Sequence, residues 1–291
     1  MGRVKFFLAL LCCLACNARQ PSKVEASKPV VLVSLAPYQC LIERIVGDAC
    51  VVKTIIPPNA NPHSFEPTAR QAHAMAEGAM WFRIGEPFEQ KVLPILTEQN
   101  PSFVAIDLRD GISLMEDRHL GCHHCSMDHI DRHVWMSPKV TMIQAALIAE
   151  NLSEQFPEHR VVFTERSQKL VEELKDLDQE IEAALASVTD RILLVSHPAF
   201  GYFCRDYDFE QLSIEYEGKE PRPKHLEQVL GQAMAHHAEM ALALPQHNNK
   251  GAQLIAEKLH VPVRMIDPYA YDYFATMHRL VQLITDPSHN P

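Results

Sequence analysis

The chain has 291 residues, of which 47% are hydrophobic and 22% are charged, and its formal net charge is −10. This composition is typical of a globular protein with one large domain or two of ordinary size. The acidic balance argues against nucleic acid as a partner, because phosphate binding needs clustered lysine and arginine and the basic residues here are scattered.

Residues 1–16 are typical of a secretory signal peptide. A short positive region precedes the apolar run FFLALLCCLA, which is too short to span a bilayer permanently. Cys16 directly follows a small alanine, so we predict that it becomes the acylated first residue of a lipoprotein. Cys13 departs from that motif, and the alternative is an ordinary signal peptide cut nearby. Residues 17–29 are expected to form a flexible tether.

Export would place the remaining cysteines in an oxidising compartment, either the periplasm or the outer face of a membrane that holds the lipid anchor. The five cysteines beyond the signal are Cys40, Cys50, Cys122, Cys125 and Cys204. Because five is odd, at least one stays unpaired within a monomer. A disulfide between Cys122 and Cys125, or between Cys40 and Cys50, is compatible with this environment. Spacing does not decide either pairing.

The alternation of short β-rich runs with helical patterns in residues 30–158 predicts an N-terminal α/β lobe with mainly parallel strands. The predicted strands are VVLVS, CVVKTII, MWFRI and FVAID. Helical patterns cover about residues 37–46 and 69–76, and a further one runs from Pro138 to about residue 156, after a His-rich loop at 119–133.

A long helix is predicted between the two halves, in residues 159–188. Its apolar positions recur every three, four or seven residues from Phe163 to Val188, with charged residues between them. At 1.5 Å per residue this helix would be about 40 Å long, enough to cross a small domain. A single apolar stripe suits a helix that lies along the side of the molecule.

The α/β alternation restarts in residues 189–291. The predicted strands are RILLVS, FEQLSI, MALALP and VPVRMI, with helical segments after Pro223, Lys250 and Tyr271. The sequence therefore predicts an α/β fold of two lobes, each a mainly parallel sheet flanked by helices, bridged by one long rigid α-helix.

Four candidate metal ligands lie in loops where such sheets bind ligands, beyond the carboxyl ends of strands. His63 follows CVVKTII and His197 follows RILLVS. Asp267 follows VPVRMI, and His133 ends the His-rich loop just before a helix. Two of these residues fall in each half, so facing lobes are expected to close on one ion. Three imidazoles and a carboxylate suit Zn²⁺, and Mn²⁺ is the alternative, although it favours more oxygen ligands.

Each of these residues also has an ordinary interpretation. A single loop histidine is more often a surface residue than a ligand, and Asp267 before a proline is a common turn former. The metal-site prediction therefore depends on the coincidence of four positions.

The segments around these residues resemble a known family. NPHSFEPTARQ, DRHVWMSP, SHPAFGYF and IDPY resemble, in order and spacing, the ligand-bearing segments of the zinc/manganese-type periplasmic solute-binding proteins of metal ABC transporters (cluster A-I, zinc-binding subgroup). SIEYEGKEPRPKHL resembles a further family segment. The resemblance implies two α/β lobes bridged by one long helix, with His63, His133, His197 and Asp267 as ligands. Manganese members usually have a carboxylate at the third position, so His197 favours zinc.

The resemblance implies an extracytoplasmic binding component that captures a divalent metal and delivers it to the membrane permease of an ABC importer. We expect a monomer that is not an enzyme, with a manganese- or iron-binding member of the same family as the alternative. A secreted zinc hydrolase is a second alternative, for which Glu66 is the only candidate base. The sequence has no HExxH helix and no Gly-x-Ser-x-Gly elbow. Nothing in it directly supports a third class, a surface adhesin.

The run HLGCHHCSMDHIDRHVW is the segment richest in metal-binding side chains. Zinc-type members often carry a His-rich loop before the second ligand, so we predict an accessory metal loop that transiently holds or senses zinc. Its histidines are His119, His123, His124 and His129. The CHHC residues are too close in sequence to surround one ion tetrahedrally. The alternative is a solvated loop that is His-rich without a role in binding.

Overall fold

The computed structural model describes residues 28–116, 130–215 and 222–286. Cys16, the signal segment and most of the tether lie outside the described residues, as do Cys122, Cys125 and the four histidines of the predicted accessory loop. Among the described residues, no helix is both long enough and apolar enough to cross a membrane.

The first half of the chain forms a four-stranded parallel sheet. Its strands are β1 (Val30–Val33), β2 (Val51–Thr54), β3 (Met80–Arg83) and β4 (Val104–Asp107), in the order β2-β1-β3-β4. The helices of this half are α1 (Ala36–Val46), α2 (Ala69–Met75), α3 (Pro87–Gln99) and α4 (Pro138–Gln155). Val31 on β1 pairs with Val52 and Met80 on the flanking strands, and all three are buried. Burial on both faces explains why the central strands are nearly continuous apolar runs.

The predicted long helix is α5 (Arg160–Leu185), which has 26 residues. Its apolar stripe is buried from Phe163 to Leu185, as predicted, whereas Val188 lies beyond its end and is partly buried. The stripe packs against α1, α4 and the last helix, α9 (Tyr273–Thr285). One helix therefore contacts elements of both halves, which confirms the predicted connection of two lobes.

The second half repeats the sheet topology of the first. Its strands are β5 (Ile192–Val195), β6 (Glu210–Ser213), β7 (Ala241–Ala243) and β8 (Val263–Met265), all parallel, in the order β6-β5-β7-β8. Its helices besides α9 are α6 (Gly201–Asp206), α7 (Pro223–Ala235) and α8 (Lys250–Leu259). In each sheet the strand order reverses between the two central strands, because the second strand is added on one side of the first and the third and fourth are added on the other. Ligands bind beyond the carboxyl ends of strands at such a point.

Two helices of the described residues were not predicted from the sequence. Helix α3 contains Pro94, which removes a backbone donor and interrupts the pattern. Helix α6 has six residues, too few for a period of 3.6 to be visible. Cys40 and Cys50, whose pairing the sequence left open, are both buried free thiols.

The lobes share one hydrophobic core. It extends from the first sheet through α4 and α5 to β5, α6 and α9, and a smaller cluster lies between the second sheet and helices α7 and α8. Trp135 is fully buried, and its indole nitrogen donates a hydrogen bond to the Pro268 carbonyl across the two halves (2.9 Å). These contacts hold the loops at the carboxyl ends of both sheets beside each other.

Candidate metal centre

Three of the four predicted ligands lie together between the lobes. His63, His133 and His197 each offer a ligand atom, and these atoms lie within 4.8 Å of one another. The three ring centroids are 5.1–5.3 Å apart in every pair, and the Nε2 atoms of His63 and His197 are 3.1 Å apart. Ligands around a tetrahedral zinc ion with 2.0–2.1 Å bonds are roughly 3.3 Å apart. The group therefore has the size of a metal-binding site.

Local structure positions each of the three imidazoles. His63 lies in a short 3-10 turn, Pro62–Ser64, where the Asn61 side chain accepts a hydrogen bond from the His63 backbone N–H (2.9 Å). His133 immediately precedes a second 3-10 turn, Val134–Met136, whose three side chains are buried. His197 lies two residues after β5. Each histidine is therefore held by a short, well-packed segment rather than by a long loop.

A carboxylate contacts the Nδ1 atom of each histidine. The pairs are His63 with Glu86 (3.1 Å), His133 with Asp131 (2.7 Å) and His197 with Glu215 (2.5 Å). When Nδ1–H donates to a carboxylate, the Nε2 lone pair is left for a metal and the ring orientation is held. The three pairs therefore direct three Nε2 atoms to one point.

The protonation of the three rings differs. Burial lowers the pKa of His133 and of His197 well below the ordinary value, so both rings are neutral at pH 7. Burial also opposes the charge on His63, but the neighbouring Glu86 carboxylate outweighs it and raises the pKa of His63. Burial disfavours the charged form of Glu215, yet hydrogen bonds from His197 and His247 hold its pKa at about 2. Protons therefore compete with a metal mainly at His63.

The hydroxyl of Tyr269 also reaches this point. It lies 2.9 Å from His133 Nε2 and 3.5 Å from His63 Nε2, and the side chain is buried. Burial raises the pKa of Tyr269 well above its ordinary value, so the phenol keeps its proton. Because His133 Nδ1 donates to Asp131, the phenol donates to the Nε2 lone pair of His133.

Asp267, the fourth predicted ligand, lies outside the group of three histidines. Its Oδ1 atom accepts hydrogen bonds from Gln246 Nε2 and from the Tyr269 backbone N–H, both at 2.9 Å. The structure thus brings the three predicted histidines together. Asp267 lies on the loop after β8, where its carboxylate accepts the hydrogen bond from Gln246.

Five further residues of the site were not singled out by the sequence analysis. Four of them follow the carboxyl ends of strands: Glu86 after β3, Glu215 after β6, His247 after β7 and Tyr269 after β8. Asp131 lies two residues before His133 in the segment IDRHVW. His197 and Asp267 were predicted because ligands bind beyond the carboxyl ends of parallel strands. The same rule finds the four residues at strand ends when it is applied to every strand and to every polar side chain there, and not only to histidine and aspartate.

Glu66, the candidate base of a hydrolase, is on the surface. Its side chain is 57% exposed, and its carboxylate pairs with Lys91. A general base must reach the proton that it abstracts, directly or through one water. This placement does not favour the hydrolase alternative.

Comparison with known proteins gives the family. Residues 31–286 match the family ZnuA, described as zinc-uptake complex component A, periplasmic. The chain belongs to this family. It is 32% identical over 272 residues to a Chlamydia trachomatis protein named as a candidate metal-binding protein, covering 93% of this chain and 95% of the relative.

Solved ZnuA structures share this fold. A ZnuA crystal structure is 31% identical with a TM-score of 0.82, and the match covers 89% of this chain and 98% of that one. A ZnuA deletion mutant solved with zinc bound has the same identity and TM-score, with 91% and 100% covered. These matches confirm the predicted family and fold. As a ZnuA-family member, the protein is a metal-binding solute-binding component of an uptake system, and its family is not one of enzymes.

Proposed function

We propose that the protein captures Zn²⁺ outside the cytoplasm and delivers it to the membrane permease of an ABC importer. The observation that carries the proposal is the convergence of three Nε2 atoms, each on a ring held by a carboxylate. Such a site is built to hold a bare ion rather than an organic substrate. Anchoring through an acylated Cys16 and action as a monomer are parts of the same proposal.

The donor set supports zinc over manganese. Imidazole nitrogen is a borderline ligand that zinc accepts in tetrahedral sites, whereas manganese binds more weakly and prefers oxygen. Glu86 and Glu215 carry negative charge, because their histidine partners lower the pKa of each carboxyl against the effect of burial. These charges partly balance a divalent cation at the three neutral rings. The zinc-bound ZnuA deletion mutant is consistent with this assignment.

Metal titration of the wild type and a variant tests the proposal. We expect one tight zinc equivalent and much weaker manganese binding, measured by calorimetry with a competing chelator and checked by elemental analysis. The variant His197→Glu should narrow the zinc-to-manganese affinity ratio, because it replaces nitrogen by oxygen. Glu215 contacts His197 Nδ1 and would repel a new carboxylate, so the change is made together with Glu215→Gln. Equal affinity of the wild type for both metals would contradict the proposal.

The fourth ligand is tested by comparing Asp267→Asn with Tyr269→Phe. We propose Asp267 as this ligand, so Asp267→Asn should lower zinc affinity by about 100-fold, because one ligand of four supplies about a quarter of the binding free energy. Tyr269→Phe should raise affinity by up to about fivefold, since the phenol hydrogen bond occupies the His133 lone pair that zinc needs. A larger loss of zinc affinity in Tyr269→Phe than in Asp267→Asn would instead make the phenol oxygen the fourth ligand.

A further inference from the structure

His247 is a buried imidazole with no part in the three-histidine group. It lies in the loop after β7, and its side chain is 4% exposed. Its ring stacks on His197 with centroids 3.8 Å apart and an interplanar angle of 22°. Its Nδ1 atom is 3.4 Å from Glu215 Oε2, and its Nε2 atom is buried without a hydrogen bond to any described residue. A buried ring nitrogen without a partner is unfavourable, so the described residues do not fully satisfy this imidazole.

Glu215 joins His247 to His197. The same carboxylate oxygen, Oε2, is 2.5 Å from His197 Nδ1 and 3.4 Å from His247 Nδ1. The three residues each offer a ligand atom within 4.8 Å of the others. Two imidazoles and one glutamate are a common protein ligand set for zinc, completed by water. The residues therefore supply the donor types of a second metal-binding position, in which a metal would replace the proton between His197 Nδ1 and Glu215 Oε2 and lengthen that 2.5 Å contact.

His197 belongs to both groups through different nitrogens. Its Nε2 atom faces His63, and its Nδ1 atom faces Glu215. A neutral imidazole has one lone pair for a metal, because its other nitrogen carries the proton. A metal on Nε2 leaves Nδ1–H to donate to Glu215, and a metal on Nδ1 moves the proton to Nε2. His197 can therefore serve one position at a time.

We propose that His197, Glu215 and His247 form a second Zn²⁺ position, which shares His197 with the three-histidine site and is filled in alternation with it. The proposal rests on the proposed function, since it takes zinc as the transported ion. An ion leaving the three-histidine site would exchange one nitrogen of His197 for the other instead of losing all protein ligands at once. The second position binds more weakly, because it has two imidazoles rather than three.

The test removes the first site and titrates the second. The full chain carries His63→Ala and His133→Ala, with the loop changes His119→Ser, Cys122→Ser, His123→Ser, His124→Ser, Cys125→Ser and His129→Ser to prevent binding there. Zinc is titrated by calorimetry and cobalt by its visible absorption, which reports coordination. We expect one equivalent to bind, and we expect added His247→Phe to lower the association constant at least about tenfold. Phenylalanine keeps a ring against His197 but has no ligand nitrogen.

The matched control is His278→Ala, which replaces an exposed histidine on α9 that pairs with Glu180. It should leave both titrations unchanged. Absence of binding in the background chain, or equal binding with and without His247→Phe, would overturn the second position. Failure of the proposed function is a separate result, because it would appear as absence of tight zinc binding in the wild type.

A second measurement applies if circular dichroism shows that the chain with the first-site and loop substitutions does not fold. Zinc-loaded protein with only the loop changes is mixed with excess chelator, and the rate of zinc transfer is compared with and without His247→Phe. We expect slower transfer at an equilibrium zinc affinity that changes less than about threefold, since the first site keeps its ligands. An unchanged rate, or a loss of affinity that accounts for the change in rate, would overturn the proposal.

Discussion

Replacing His133 with alanine is expected to lower zinc affinity by about 100- to 1,000-fold. Four-ligand structural zinc sites contribute about 10–16 kcal/mol, so one ligand in four accounts for about 2.5–4 kcal/mol. His133 is neutral and oriented by Asp131, so it binds zinc without losing a proton, and only its hydrogen bond from Tyr269 has to be given up. His63→Ala should have a similar effect with less structural disturbance, because the His63 side chain is 25% exposed. Competition titration with a chelating dye measures both variants.

The control for this experiment is again His278→Ala, an exposed histidine on α9 outside both histidine groups. Its zinc affinity should equal that of the wild type. The melting temperature of each metal-free variant shows whether the fold persists. If His63→Ala and His133→Ala both kept wild-type affinity while folded, the three-histidine site would be wrong, and the tight site would lie elsewhere in the chain.

Zinc affinity is expected to fall as the pH is lowered from 7 to 5, with a slope set mainly by His63. A protonated imidazole cannot bind zinc, so each ring opposes binding below its own pKa. The pKa of His63 is raised by Glu86, whereas burial holds the pKa values of His133 and His197 well below the ordinary value. Between pH 6.5 and 5.5 the association constant should therefore fall about tenfold per pH unit, the effect of one proton.

The slope of log association constant against pH distinguishes this result from the alternatives. Three rings titrating together at the ordinary value would give a slope approaching three, and a pH-independent affinity would contradict histidine ligation. Glu86→Gln provides the matched variant. It removes the charge that raises the pKa of His63, so the fall in affinity should begin at a lower pH than in the wild type.

The sequence predicted the fold well wherever the pattern of apolar residues lies within a single strand or helix. The eight strands of the described residues all lie within the short β-rich runs predicted from the sequence, and the helix from Arg160 to Leu185 carries an apolar stripe that is visible in its own residues. Prediction failed for α3, where Pro94 interrupts the pattern, and for α6, which is too short to show one. These failures have little effect on the topology, because the alternation of strands and helices is still visible around them.

The sequence also predicted which histidines would meet, since strand ends in parallel sheets lie at one edge. It did not predict the carboxylates that orient them. Glu215 lies 18 residues after His197, and Glu86 lies 23 residues after His63. These separations carry no local signal, because each pair meets through the folding of a whole strand-helix unit.

By itself, the sequence determined the two α/β lobes and the connecting helix, and it predicted the loops that we propose to hold a metal. These properties follow from side-chain period and from chain order, which are local. Only the tertiary structure decided which atoms meet. Asp267 and Tyr269 are two residues apart on one loop, yet the Tyr269 hydroxyl contacts His133 while the Asp267 carboxylate contacts Gln246. Side-chain direction in a loop depends on packing against distant segments. Such packing stacks the His247 ring on the His197 ring.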